Sequence, residues 1–452
     1  MTTPVPFPSA QRKSLLDRLL SIFTDVRAGE GVSALLLAAN VFYLLAFYSV
    51  LKIVRDTLIL EEAGAVAASY SAAGQALLML VFVPAYGAFA SRVNRIWLIC
   101  GVTAFFASHL LVFYALGIAG VRISIAFYLW IGVFNMVAVA QFWAFANDVY
   151  SSERGKRLFP LVGIGASLGA VLGSAITSFV FENVGPYLLM LVAAGGLLVP
   201  VGLTVWVHRR ESGRAAEEPE AAAQAEQPLD KEGGFQLVLR QRYLLLIAMM
   251  VLLFSLVNTL GGFILNSMIA TEAAARVAAG PPGGPDERAL IGTMVGTIQT
   301  SVNLLAFLLQ AFVVSRIFKY VGVRAALFIL PAIALGGYTL MAVVPLFAIV
   351  SWAKILENSV DYSIQNTTRH ALFLPTSREA KYKAKQAIDS FFVRAGDLLQ
   401  AVVVFAGTAL MFTTRHYAIL NVVFIAIWLV LAVGIAREHR RLTADEPAER
   451  AA

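Results

Sequence analysis

From about Ala34 to Arg437 the chain is a succession of twelve long apolar stretches. A backbone surrounded by hydrocarbon can satisfy its amide and carbonyl groups only within itself. Each stretch approaches the roughly 20 residues that a helix needs to cross a bilayer. The expected crossings lie near 34–58, 70–91, 95–118, 124–147, 158–181, 186–207, 243–267, 290–315, 323–344, 347–372, 386–411 and 417–436. A membrane β-barrel would instead show segments of about ten residues alternating apolar with polar. A run such as 34-ALLLAANVFYLLAFYSVL-51 does not alternate, so the expected fold is all-α and polytopic, with twelve transmembrane helices in two six-helix bundles.

Composition points the same way, since 59% hydrophobic and 14% charged residues fall outside the range of soluble domains. The net charge of +7 is not evidence for a nucleic-acid partner, because the basic residues collect on one side of a twelve-span model. Arg92 and Arg95, Arg154 to Arg157, His208 to Arg210, Arg316 to Arg324, Arg378 to Lys383 and Arg437 to Arg441 share that side, while 59-ILEEAGAVAAS-69, 182-ENVG-185 and 342-AVVPLF-347 carry none. The positive-inside rule then predicts cytoplasmic termini. The first residues lack a long apolar core followed by a cleavage site, so no removable signal is read and a bacterial inner (plasma) membrane is the expected location. A lipid bilayer is the expected surrounding and a monomer the expected state.

The organisation predicted is a cytoplasmic segment 1–33, a first bundle 34–208, a linker 209–240, a second bundle 241–437 and a tail 438–452. In the first segment Leu15, Leu16, Leu19, Leu20 and Phe23 share one helical face, with Arg12, Lys13, Asp17 and Arg18 around it, which predicts an interfacial amphipathic helix. The linker is rich in Ala, Glu and Gln, as befits a solvated connection. A second polar insert, 271–288, contains Pro-Pro-Gly-Gly-Pro and predicts an irregular loop. One cysteine, Cys100, and five scattered histidines leave no disulfide framework and predict no metal site or cofactor. There is no G-x-x-x-x-G-K-[ST] and no H-E-x-x-H, so neither an ATPase nor a metalloprotease is expected and the chain is not read as an enzyme.

Charges inside the apolar stretches are the functional signal, because ionisable groups at membrane depth mark the path of something polar. Span one ends in 48-YSVLKIVRDTLIL-60, where Lys52, Arg55 and Asp56 lie within about a turn, Lys52 and Asp56 on one face. Snorkelling of these groups to the interface is the alternative. Span ten is the most polar: Lys354 and Glu357 are three apart, Glu357 and Asp361 four apart, and Arg369 and His370 follow. Such a helix lines a cavity or packs wholly within protein. Arg369, with a planar fork of donors suited to phosphate or carboxylate, is the leading candidate for substrate contact. Span eleven adds Lys385, Asp389, Arg394 and Asp397, of which Lys385 and Asp389 are spaced to pair. The expectation is that these groups converge on one wet cleft between the bundles. Substrate contact then falls to Lys52, Arg55, Lys354, Arg369 and Lys385, and exchanging ion pairs to Asp56, Glu357, Asp361, Asp389 and Arg394. Gly165, Gly169 and Gly173 form a small-residue stripe expected to serve close helix packing.

The halves echo each other: span two runs into PAYGAFASRVNR and span eight into QAFVVSRIFKYVGVR. This six-plus-six arrangement is similar to the plan of the major facilitator superfamily. Within it, QFWAFANDVYSSERGKRLFPLVGIGASLGA at 141–170 and DYSIQNTTRHALFLPTSREAKYKAKQAID at 361–389 resemble motifs of the ATP/ADP translocase family of plastids and intracellular bacteria. Span one is similar to that family's L-R-D-T-K-D, with Lys52 and Arg55 at the basic positions in exchanged order and Asp56 at the final acid. The resemblance covers most of the chain. It implies nucleotide exchange by alternating access, with the family's basic residues falling on Arg55, Arg369 and Lys385. The family's acid in span four meets an apolar residue near Trp130 or Ile131, and its acid in span seven meets Gly261. Read from the residues alone, another organic anion, a proton-coupled metabolite or a transport-inactive scaffold stay open, because the acids nearly balance the bases.

Overall fold

The computed structural model describes residues 14–21, 26–90, 93, 95–150, 152–211, 234–377 and 380–449, and among them there is no strand. A short α1 (Leu15–Leu20) precedes α2 (Gly31–Glu62), α3 (Gly64–Ala90), α4 (Arg95–Ile118), α5 (Ser124–Val149), α6 (Ser152–Gly196) and α7 (Leu198–Glu211). The second half runs through α8 (Gly234–Arg240), α9 (Arg242–Ala279), α10 (Glu287–Phe312), α11 (Val314–Tyr320), α12 (Gly322–Ala326) and α13 (Ile329–Val343). A π-helical turn at Asp361–Gln365 joins α14 (Phe347–Val360) to α15 (Asn366–Ala371). Two more π turns, Ala380–Ala384 and Ile388–Phe392, flank α16 (Lys385–Ala387) and lead into α17 (Val393–Ala409) and α18 (Thr414–Glu449).

Among the described residues ten helical segments are long and apolar enough to cross a membrane by length and composition. One of these, Arg157–Glu211, is twice the usual length. It breaks at Gly185, whose φ of 72° lies where an L side chain is strained. Pro186, whose fixed φ suits a first helical turn, opens the next limb. The segment 347–371 carries Lys354, Glu357, Asp361 and Arg369 and so fails an apolarity criterion. Those two features account for the difference between ten and the expected twelve.

The helix ends differ from expectation in three places. α9 continues through 271–279, where alanines and a Glu272–Arg276 pair at 2.8 Å favour helix. The irregular loop is therefore confined to the Gly and Pro residues that follow. α3 begins at Gly64, six residues ahead of the expected start, and α18 runs through the expected tail to Glu449. Most of the linker, 212–233, and Arg12, Lys13 and Phe23 of the N-terminal segment lie outside the described residues.

The expected glycine stripe binds α6 to α2. A Cβ on Gly165, Gly169 or Gly173 would collide with the backbone of Ala38, Phe42 or Ala46 respectively, so the two backbones are in direct contact along three turns. The two halves meet where α6 packs on α10, α2 on α10, and α3 on α9 and α17. At the Glu62 end of α2 the seam is bonded. Arg288 makes a two-pronged salt bridge to Glu61, at 2.6 and 2.7 Å, and Ser178 meets Thr297 at 3.0 Å. Gln400 donates to Ser69 at 3.0 Å.

Two predictions follow from these contacts. Gly169→Val forces α6 off α2, and the purified variant should lose about 2 kcal/mol or more of stability, read as a lower melting temperature in detergent. The second concerns Asp17, whose side chain accepts from the amides of Gly29 at 3.1 Å and Gly31 at 2.9 Å and from Ser14. Burial raises its pKa, but the Gly29, Ser14 and Gly31 donors outweigh that and hold it at about 2. A depressed carboxyl stabilises above its ordinary pKa and ceases to do so as pH falls through the folded value. Protection of the Gly29 and Gly31 amides in hydrogen exchange should therefore persist at neutral pH, fade between about pH 4 and about pH 2, and be lower by roughly fivefold at pH 7 in Asp17→Asn.

Candidate functional site

Helices α2, α3, α5, α9, α10, α14 and α17 enclose a cavity of about 270 Å³ between the halves. Lys52, Arg55 and Asp56 enter it from α2, Lys354 and Asn358 from α14, and Tyr362 from the π turn below. Other polar side chains of the wall include Tyr128, Asn258, Gln299 and Gln400.

The three cations of this cavity are held differently. Arg55 grips the neighbouring Asp56, with Nη2 and Nε at 2.6 and 2.8 Å from one carboxylate oxygen, and lies 4.4 Å over the Tyr128 ring. The Lys52–Asp56 pairing expected from helical spacing is replaced, because the guanidinium fork makes two bonds to the carboxylate where an ammonium makes one. Lys354 is almost completely buried, and its ammonium donates to Glu357 at 2.8 Å and to the Asn258 side chain and backbone at 2.9 and 3.2 Å. All three of its protons are bonded, and Tyr338 adds a fourth contact by donating to the same Glu357 oxygen at 2.8 Å. Lys52 alone has no carboxylate partner among the described residues: its ammonium donates to the neutral Gln299 side chain at 2.7 Å.

The remaining expected site residues do not converge on this cavity. Arg369 and Lys385 share Asp389, Arg369 at 3.7 Å and Lys385 by a short hydrogen bond, in a cluster of their own. Arg369 is fifteen residues from Lys354, which at helical rise is about 20 Å along the same span. Arg394 pairs with Asp397 at 3.0 Å, and Ser255 donates to that carboxylate at 2.7 Å. Asp361 sits between the clusters and joins no ion pair among the described residues. The expected single cleft is thus three separate groups. The reason is geometric: charges strung over several turns of one helix are spread lengthwise and cannot meet at a point.

Gly261 explains how the chain dispenses with an acid in the middle of α9. A Cβ there would collide with the Tyr338 hydroxyl and come within 3.0 Å of the Lys354 ammonium. The negative charge that serves this spot arrives from Glu357 on the facing helix. Near Trp130 and Ile131 there is likewise no place for an acid: Ile131 is fully buried and Trp130 stacks between Phe127 and Phe134. Residues missed by charge-based reading are Gln299, Asn258, Tyr128, Tyr338 and Gln400. The signal that could have found two of them is a neutral amide inside an apolar run, as in 297-TIQTSVN-303 and 257-VNT-259.

A profile described as the Major Facilitator Superfamily matches residues 31–361. The chain belongs to the Major Facilitator Superfamily. It is accordingly an integral, multi-pass membrane protein. ADP,ATP carrier protein 1 of Chlamydia pneumoniae is 23% identical over 353 residues, covering 69% of this chain and 66% of that protein. The chloroplastic ADP,ATP carrier protein 1 of Arabidopsis thaliana is 21% identical over 357 residues, covering 70% of this chain and 54% of that one. The chain thus spans just under two thirds of the first relative and about half of the second. The crystal structure of the nucleoside transporter NupG superposes with a TM-score of 0.60 at 13% identity, over 89% of this chain and 98% of that one, which establishes a shared fold.

In this superfamily member the Lys354–Glu357 pair is a structural knot whose halves depend on each other. Lys354→Met or Glu357→Gln alone should cost about 3–5 kcal/mol, because each strands a buried charge, whereas the double variant should be more stable than either. Thermal melts of the four proteins in one detergent test this as a double-mutant cycle.

Proposed function

We propose that this protein moves nucleotides of the ATP and ADP type across the membrane by alternating access, with twelve crossings and cytoplasmic termini. The observation that carries the reading is Lys52, a cation facing a central cavity with no carboxylate within ion-pair distance among the described residues, Asp56 in the same cavity being taken by Arg55. Lys52 is half-buried, and a charge partly withdrawn from water without a counter-charge is costly. An anionic ligand supplies the missing partner through charge-assisted hydrogen bonds. Tyr128 and Tyr362 give the same cavity aromatic faces, the kind of surface on which a base stacks. The similarity to proteins named ADP,ATP carriers supports the choice of nucleotide among anions.

At about 270 Å³ the cavity lies just below the range of small-molecule sites, about 300–1,000 Å³. It encloses part of a nucleotide, and Lys52 selects the phosphate end. Arg369 and Lys385 form a second basic cluster outside the cavity, against a single acid, and hold the anion on its way to or from the centre. Arg288 and Glu61 close the opposite, outer end. Lys354, with its protons engaged within the protein, shapes the cavity and does not bind substrate. Other organic anions satisfy Lys52 equally well by charge, so competition between ligands decides among them.

The test is exchange of labelled ATP against ADP in proteoliposomes. Wild type should show saturable flux. Lys52→Gln should lower flux at limiting substrate by roughly tenfold to a hundredfold, the equivalent of one lost charge-assisted hydrogen bond. Arg369→Ala should lower it while leaving the melting temperature unchanged. Absence of saturable flux for both nucleotides, with flux of another anion, would reassign the substrate, and absence of any flux would leave a scaffold.

A further inference from the structure

The partner that Lys52 does have belongs to the other half of the molecule. Its ammonium, on α2, donates to the Gln299 carbonyl on α10 at 2.7 Å. The Gln299 amide donates in turn to the Asn303 carbonyl at 2.9 Å. Asn303 then donates back across the seam to α6, at 3.1 Å to the Ala170 carbonyl and 3.3 Å to the Ser174 hydroxyl. Every donor in this chain points the same way, from the cation through two amides to a backbone oxygen. Gln299 and Asn303 stand one helical turn apart, so both amides lie on the face of α10 that meets the first half.

We propose that the Lys52–Gln299–Asn303 chain is a strap that holds the two halves together and that an anion in the cavity releases it. An anion that engages the Lys52 ammonium competes with the Gln299 carbonyl for its protons, and a phosphate oxygen, being charged, is the stronger acceptor. Loss of that bond leaves a half-buried Gln299 carbonyl unpaired and frees the amide to rotate, so Asn303 loses the partner that orients it. Hydrogen-bonded chains of this kind strengthen one another when complete and weaken together when broken. Occupancy of the cavity is thereby converted into weaker attachment of α10 to α2 and α6, which is where the halves must part for the outer end to open. Gln299 and Asn303 are positioning residues: they act through Lys52 and the seam. The inference rests on the reading above only for the identity of the anion.

The experiment reads the seam directly. Cys100 is replaced by serine, and a cysteine pair is introduced by Ser178→Cys and Thr297→Cys, positions whose hydroxyls are 3.0 Å apart across the outer seam. The rate of disulfide formation reports how long this seam stays closed. Without ligand, Gln299→Leu and Asn303→Leu should slow cross-linking several-fold, a shift that one neutral hydrogen bond can produce. Gln299→Glu gives Lys52 a charged partner that an added anion displaces poorly but cannot donate to Asn303 as the amide does, so its cross-linking should respond to ligand less than wild type's. Disruption of packing would slow the leucine variants without abolishing the ligand response of Gln299→Leu. Thr300→Val, which removes a hydroxyl bonded only to its own helix at Gly296, should leave the rate unchanged.

With ATP or ADP added, wild type should cross-link more slowly and Gln299→Leu should show no further ligand effect. Equal rates in wild type, Gln299→Leu and Asn303→Leu without ligand would overturn the strap, as would an undiminished nucleotide effect in Gln299→Leu. A thermal shift with ATP in wild type is measured alongside. If it is absent while the ligand-free rates differ as stated, the strap stands and the choice of nucleotide falls.

Discussion

An ionised group inside a membrane protein persists only where something answers its charge, and here the way each charge is answered sorts the interior into parts. Lys354 is enclosed by Glu357, Asn258 and, through the shared carboxylate, Tyr338, so it ties α9, α13 and α14 into one body. Arg55 is answered by Asp56 on its own helix and reaches no other element through that bond. Among the described residues Lys52 is answered by a neutral amide from the opposite half and by no carboxylate. The first arrangement is rigid, the second local, and the third conditional on what occupies the cavity. This ordering needs no assumption about the ligand, because it follows from the cost of burying a charge without its opposite.

The gross architecture was open to reading from hydropathy alone, since the bilayer imposes a helix on every crossing and a length on every helix. The glycine stripe of α6 was equally legible, as three small residues on one face have few uses other than letting another backbone approach. The site was only half legible. Charges in spans one and ten could be picked out one by one, but which of them share a cavity depends on how far along each helix they sit and on side chains from other spans. Arg369 and Lys354 belong to one polar stretch of sequence yet to different places. Gln299 was overlooked because an amide carries no charge, and its importance arises solely from the lysine that faces it.

The two halves differ in how they are built. In the first, α2 and α6 touch backbone to backbone through Gly165, Gly169 and Gly173, which leaves little room for one helix to slide on the other. In the second, α14 and the span that ends in α17 are interrupted by π turns at Asp361–Gln365, Ala380–Ala384 and Ile388–Phe392. Such turns widen the helix locally and are found often at functional positions. The asymmetry places a stiff wall on one side of the cavity and a deformable one on the other, with Tyr362 set in the deformable wall.

Gly261 sets a joint constraint on three helices. The Tyr338 hydroxyl occupies the volume in which any side chain at 261 would begin, and that hydroxyl is held there by Glu357. An acid at position 261 would need position 338 to shrink, and beside Glu357 it would crowd a second carboxylate against the Lys354 ammonium. Positions 261, 338 and 357, on three helices, are therefore constrained together: a side chain added at the first requires room at the second and a changed charge at the third.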